Sequence, residues 1–270
     1  MLSIAVTCLS LEPDLSRSQI LGGGRRPFKR PPCGRPLTPT FPTRSGVPYE
    51  FNPRGTFACT GMVGYGTHRK PAGTWSDDTS MALATCDSIR RLGRIDTTDM
   101  RQRFERWYHG GAYTVDGLFD VGGCTADAIR SGRGRTGEYD NGNGSLMRIL
   151  PLAFTGAADG EVRAVSAITH AHRVSCDCCV DMVRIARQLI AGETPADVAG
   201  DLSGVPEDEI RSGGFVCDTH RAALWCLVNT GSYAECVLAA VNLGEDTDTT
   251  AAVAGGLAGI VYGIASIPSA

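Results

Sequence analysis

The sequence predicts an all-α fold, a multi-helix domain spanning residues 45–270, and three observations carry that expectation. Apolar residues recur at three-to-four spacing in one segment after another. No convincing period-two series marks a strand. Residues 249–265, TTAAVAGGLAGIVYGIA, are apolar nearly all round, as a helix at the centre of a bundle must be.

Taken in order, residues 1–44 stand apart from the rest. Prolines at 13, 27, 31, 32, 36, 39 and 42, the run Gly22-Gly23-Gly24 and scattered arginines leave few apolar anchors, so this stretch reads as a disordered segment rather than a core helix. Its start, residues 2–11, is apolar but has no basic residue ahead of it and is followed by Glu12 and Asp14, a poor match to a signal peptide. From Asp77 the periodicity of Met81, Leu83, Ala84, Ile89 and Leu92 predicts a helix that Gly93 ends. Thr97 or Thr98 could cap a second, through Met100, Phe104, Trp107 and Tyr108, stopped by Gly110-Gly111. Others are expected at about 124–131, 161–171, 175–191, 218–230 and 233–242. In the last helix, Gly255, Gly256, Gly259 and Gly263 would let neighbouring backbones approach closely.

Composition narrows the function classes. A chain of 270 residues, 42% hydrophobic, with a net charge of −3 and 20% charged residues carries no global field that marks a nucleic-acid or membrane binder. No run of 18 apolar residues predicts a membrane span. The 11 cysteines are mostly single, with Cys86, Cys226 and Cys236 among apolar helix residues, which predicts reduced thiols and a cytoplasmic protein. Cys176 and Cys179 form one CxxC with no second to complete a zinc site, so a buried, inert role is expected of that cluster.

Two acidic stretches carry the chemistry. In GTWSDDTSMA (73–82), Asp77 and Asp78 lie at the start of a predicted helix, where Ser and Asp are good caps and the helix dipole favours carboxylates. NLGEDTDTT (242–250) repeats that composition before the buried last helix. If the two starts meet in the core, their carboxylates repel unless a cation lies between them. Adjacent residues on a helix point about 100° apart, so Asp77 and Asp78 could address one ion from two sides or two ions in turn. Asp246 and Asp248 could face the same place, with Ser76 and Thr249 adding neutral oxygens. An all-oxygen set suits Mg²⁺ or Mn²⁺ rather than Zn²⁺. Capping and ligation are compatible, and both readings stand at this point.

Six motifs in order, GVPYEF (46–51), GTWSDDTSMA (73–82), GNGSLMR (142–148), ITHAH (168–172), GGFVCDT (213–219) and GEDTDTTAAVAGG (244–256), resemble the ADP-ribosylglycohydrolase family. The resemblance implies an all-α domain that holds two magnesium ions in a cleft and hydrolyses the glycosidic bond at ribose C1″ of ADP-ribosylated proteins or small ADP-ribose conjugates. It implies metal ligation by Ser76, Asp77, Asp78, Asp246, Asp248 and Thr249, with Ser76 where the family usually has Thr, and a catalytic part for Glu50, Asp77 and Asp248. It further implies substrate contact by Gly142, Asn143, Gly144, Ser145, Met147 and Arg148 around the diphosphate and ribose, by His170, and by Phe215 against the adenine. The expected partner is an ADP-ribose-containing substrate, with no nucleic acid or membrane, and the protein is expected to be a monomer.

The match departs from the family most at its N-terminal end. Family members open with an apolar helix ending in Gly-Asp-Ala-x-Gly, whereas Pro42-Thr43-Arg44-Ser45-Gly46 keeps only the last glycine. The first core helix is therefore expected to be missing, and an alternative function, a catalytically degenerate ADP-ribose-binding or structural relative, follows from that absence.

Overall fold

Helix signals in the sequence translate into a bundle built around the last helix. The computed structural model describes residues 41–268; the segment expected to be disordered lies outside the described residues up to position 40. The helices are α1 (Phe41–Gly46), α2 (Asp77–Leu92), α3 (Thr97–Gly110), α4 (Gly123–Ser131), α5 (Asp159–Ser166), α6 (Arg173–Ala191), α7 (Pro195–Ala199), α8 (Val216–Val228), α9 (Tyr233–Asn242) and α10 (Thr247–Tyr262). Short 3₁₀ turns include Val47–Tyr49, Asn143–Arg148 and Leu150–Phe154. Among the described residues there are no strands, only isolated bridges such as Gly142 with Phe215.

α10 is the axis. It is buried from Thr247 through Gly259 and packs against α1, α2, α6, α8 and α9, which is why it carries no polar face. Gly263 does not serve close packing as expected: it sits at φ +78 and ends the helix, three residues short of the predicted limit. The expected helix at 161–171 is also shorter, stopping at Ser166, and His170 lies beyond it, after a turn, in an isolated bridge with Arg135.

Caps follow simple acceptor chemistry. Asp96, not Thr97 or Thr98, caps α3 by accepting from Thr98 N and Asp99 N, because a carboxylate one residue earlier is the stronger acceptor. Left-handed glycines close α2 at Gly93 and α3 at Gly111. These two helices are tied by buried Arg103, which donates to Asp87 and, at 2.6 Å, to Asp99, while Tyr113 OH donates to Asp87 at 3.0 Å. The loop after α3 is thereby anchored at Tyr113, and Trp75 Nε1 donates to the Tyr113 carbonyl at 3.0 Å.

The segment expected to lack a core helix is helical from Phe41 to Gly46 and lies on α10. Gly46 explains itself there: a Cβ on it would stand 2.4 Å from Asp248 Cα. Thr247 Oγ1 donates to the Gly46 carbonyl at 2.8 Å, fastening this end of α1 to the first turn of α10. No helix among the described residues is long and apolar enough to cross a membrane.

Candidate metal centre and substrate cleft

Four segments bring carboxylates into one neighbourhood. The 3₁₀ turn Val47–Tyr49 ends at Glu50, the first turn of α2 presents Asp77 and Asp78, the loop before α4 presents Asp120, and α10 opens with Asp246 and Asp248. One carboxylate oxygen each from Glu50, Asp246 and Asp248 lies within 4.8 Å of the others. Burial, and then Asp248, Asp120 and Asp246 nearby, push the Glu50 carboxyl up to about 12. Burial likewise raises Asp246, Asp248 and Asp120 to about 6, and holds Asp77 and Asp78 well above the usual carboxylate range.

Four carboxylate oxygens of the centre have no other partner. Asp78 Oδ1, Asp246 Oδ1 and both oxygens of Asp248 are buried without a hydrogen bond. Leaving such groups unpaired is costly, and an oxygen-only donor set of this charge fits a hard divalent cation. Ser76 occupies the cap position of α2, but its hydroxyl does not cap the helix; it donates to Asp78 Oδ2 at 2.9 Å and orients that carboxylate. Thr249 is buried in the first turn of α10.

The surrounding backbone is built to hold these groups close. Arg54 donates to the carbonyls of Leu243 (3.0 Å), Glu207 and Ile210, pinning the approach to α10. Next to the acidic residues, Phe51 and Glu245 both adopt left-handed backbone, φ +64 and +58, and are paired through Phe51 N to Glu245 O at 2.7 Å. Non-glycine residues in that region are uncommon and mark places where the fold enforces geometry.

The glycine-rich stretch lies beside this centre. Gly142 pairs with Phe215, and Asn143 N donates to the Gly214 carbonyl at 3.0 Å, joining the stretch to the start of α8. A Cβ on Gly144 would stand 2.8 Å from His170 Cε1, so the glycine is required by the imidazole beneath it. His170 is buried, shares a hydrogen bond with Thr169 Oγ1 at 2.9 Å, and is held neutral, down to about 3, by burial and by Arg148. Phe215 is 44% exposed at the cap position of α8, available to a flat ligand.

Four of the residues expected to touch substrate have side chains engaged elsewhere. Asn143 gives its amide to Asp246 Oδ2 and Thr219 Oγ1, both at 2.8 Å, and so supports a carboxylate of the centre. Ser145 is fully buried, accepting from Ser166 Oγ at 2.9 Å. Met147 lies in the core. Arg148 is 0% exposed, donates to Thr169 Oγ1 at 2.8 Å and stacks on Phe104 at 4.5 Å, so its guanidinium braces the stretch from below instead of facing a phosphate.

Sequence reasoning missed two members of the centre, His68 and Asp120. His68 Nε2 is hydrogen-bonded to Glu50 Oε2 and lies 4.0 Å from Asp120 Oδ1. A lone histidine in THRK gave no spacing signal, whereas Asp120 sits in DGLFDVGG, a carboxylate among glycines just before a helix, which was a readable pattern. The cysteine cluster lies away from the centre on α6: Cys176 and Cys179 are buried, and Cys178 Sγ is 3.5 Å from Cys217 Sγ.

Comparison with known proteins agrees with this geometry. The family model described as ADP-ribosylglycohydrolase matches residues 45–270. An ADP-ribosylarginine hydrolase of Pseudomonas putida (strain GB-1) is 35% identical over 252 residues, 83% of this chain and 68% of that protein. The ADP-ribosyl-dinitrogen reductase glycohydrolase of Rhodospirillum rubrum is 33% identical, covering 83% of each. A solved structure described as an ADP-ribosylglycohydrolase-related protein complex superposes with a TM-score of 0.73 at 29% identity, over 86% of this chain and 87% of that one. An all-helical domain with an acidic centre beside a glycine-rich stretch thus defines a hydrolase acting on ADP-ribose conjugates. The chain belongs to the ADP-ribosylglycohydrolase family.

Proposed function

We propose that the protein removes ADP-ribose from arginine side chains, using two Mg²⁺ ions, or Mn²⁺ in their place, in the cytoplasm. The observation that carries this reading is the set of buried, unpartnered oxygens on Asp78, Asp246 and Asp248, brought together from both ends of the domain. Arginine as the acceptor is supported by the similarity to ADP-ribosylarginine hydrolases, at 35% and 34% identity.

Ser76, Asp77, Asp78, Asp246, Asp248 and Thr249 would hold the ions. When bound, they supply Lewis-acid charge that fixes ribose hydroxyls and acidifies water. The chain's own residues do the rest. Backbone N–H groups at Gly142 and Gly144 bind the diphosphate, with the missing side chains leaving room for His170 beneath them, and Phe215 lies against the adenine. With bound cations offsetting the neighbouring carboxylates that raise it, Glu50 is ionised, and close to Asp246 and Asp248 it orients a water and takes its proton as the water oxygen bonds to C1″. The C1″–N bond breaks, and the departing guanidine takes up the proton that Glu50 received. Buried, neutral His170 keeps the glycine stretch in place.

The test is to incubate the purified protein with ADP-ribosylated arginine, ADP-ribosylated serine and O-acetyl-ADP-ribose, each with Mg²⁺, Mn²⁺ or EDTA, and to quantify ADP-ribose by chromatography. Release from arginine alone, lost in EDTA, is the expected result. Equal release in EDTA would reject the metal requirement, and release only from the serine or acetyl conjugate would reject the acceptor.

A further inference from the structure

We infer that His68 is a positioning residue that sets the orientation of the Glu50 carboxylate in the hydrolytic reaction. The turn that carries it is fastened to Glu50's own segment. Thr67 N donates to the Pro48 carbonyl at 3.1 Å, and Thr67 Oγ1 donates to the Glu50 carbonyl at 2.7 Å. Gly66 fits flush on that segment: at φ +55, a Cβ on it would stand 2.0 Å from Pro48 O. His68 then completes the attachment through its bond to Glu50 Oε2.

The imidazole is itself held from two sides. Its ring meets Phe51 at 5.9 Å and Phe119 at 5.2 Å, both tilted, an arrangement aromatic pairs favour. Phe119 is fixed in turn by Lys70, which lies 4.9 Å over the ring and donates to the Asp116 carbonyl at 2.7 Å. One rigid turn therefore joins the loop bearing Glu50 to the loop bearing Asp120.

The chemistry requires such a hold. Glu50 faces Asp120, Asp246 and Asp248, all of its own charge type, and nothing acidic can fix its plane by hydrogen bonding once all are ionised. His68 is the one nitrogen ligand atom found with these carboxylates among the described residues. Once Glu50 is ionised, the imidazole N–H donates to Oε2 and leaves Oε1 outside that bond and available to water, and a carboxylate whose rotation is stopped loses less entropy on reaching the transition state. The positioned group is the one that proton transfer in the proposed reaction depends on, so the inference rests on that reading of Glu50.

The experiment compares His68→Phe, which keeps ring packing and removes the bond, with His68→Gln, which restores an N–H donor. On ADP-ribosylated arginine, His68→Phe is expected to lower kcat on the order of 10–100-fold with KM changed by less than about threefold. His68→Gln should recover most of the loss. Melting temperature and Mn²⁺ affinity should match the parent for both. A His68→Phe variant with kcat within about twofold of the parent overturns the inference, as does equal loss in both variants with a fall in melting temperature, the mark of packing alone. Nitrogen coupling in the Mn²⁺ spin-echo spectrum of the parent, absent from His68→Phe, also overturns it by making His68 a ligand. Glu50→Gln separates the two levels: full activity in that variant rejects the reading of Glu50, whereas an inactive Glu50→Gln beside an active His68→Phe rejects only the part given to His68.

Discussion

Adding one methyl group at Gly46 should weaken the metal centre from outside it. In Gly46→Ala the new Cβ would stand 2.4 Å from Asp248 Cα, 2.6 Å from Asp248 N and 2.7 Å from Thr247 C, all backbone atoms that no rotamer change can move aside. Optimal carbon contact is about 3.5–4.0 Å, so α1 and the first turn of α10 must part by about 1 Å. Overpacking of this kind costs about 1–3 kcal/mol, and stretching the bond from Thr247 Oγ1 to the Gly46 carbonyl adds about 1 kcal/mol. Gly46 has ordinary helical backbone, φ −79 and ψ −45, so alanine returns up to about 1 kcal/mol of helix propensity. The net loss is about 2 kcal/mol, or roughly 4–8 °C in melting temperature for a domain of this size. Because Asp248 moves with its backbone, Mn²⁺ affinity should fall as well. Calorimetric melting in EDTA gives the first quantity and Mn²⁺ titration the second, with Gly61→Ala, where a Cβ meets nothing within 4 Å, as the neutral control. A melting temperature within about 1 °C of the parent together with unchanged Mn²⁺ affinity would refute the packing argument.

Three further outcomes can be checked. In EDTA, folded Asp246 and Asp248 keep protons up to about pH 6, while the unfolded chain loses them near 4, so the native state binds more protons between those values. Stability should therefore rise as pH falls from 7 to about 4.5, with that contribution lost as pH rises through 6. Saturating Mn²⁺ should reverse the slope, and a flat EDTA profile of melting temperature would contradict the assignment. Asp248→Asn should lower ADP-ribose release by at least about 100-fold yet raise the melting temperature in EDTA, since it removes a buried charge whose oxygens are unpartnered; a lower melting temperature would tell against that cost. Arg103→Met should cost about 1.5–3 kcal/mol in urea unfolding, because Asp87 and Asp99 lose their shared cation while Asp87 keeps Arg90, Arg91 and Tyr113; a loss below about 0.5 kcal/mol would show the network to be dispensable.

What was legible in the sequence was what repeats or clusters. The apolar periodicity of α2, α3 and α10 and the acidic starts at Asp77-Asp78 and Asp246–Asp248 announced the helices and the centre, because helix period and charge crowding are local properties. Contacts between distant segments were hidden. That Asn143 turns its amide to Asp246, that Arg148 stacks on Phe104, and that His68 reaches Glu50 depend on how far-apart turns dock, and no spacing rule encodes them. The helix at Phe41–Gly46 was masked by Pro42, which reads as a breaker although the first turn of a helix tolerates proline. Boundaries slipped where a single residue decided them, as at Asp96 and Gly263.

The fastening of Thr247 to Gly46 spans 201 positions of sequence. During synthesis, α10 therefore emerges long after the segment it must meet, and Glu50 and the α2 carboxylates wait without their counterparts. A nascent chain that has not yet delivered Asp246 and Asp248 lacks two of the carboxylates gathered around Glu50, however well its earlier helices have formed. The acidic cluster is in this sense complete only once the last helix has left the ribosome, and a chain stalled before it would collapse around an unfinished centre.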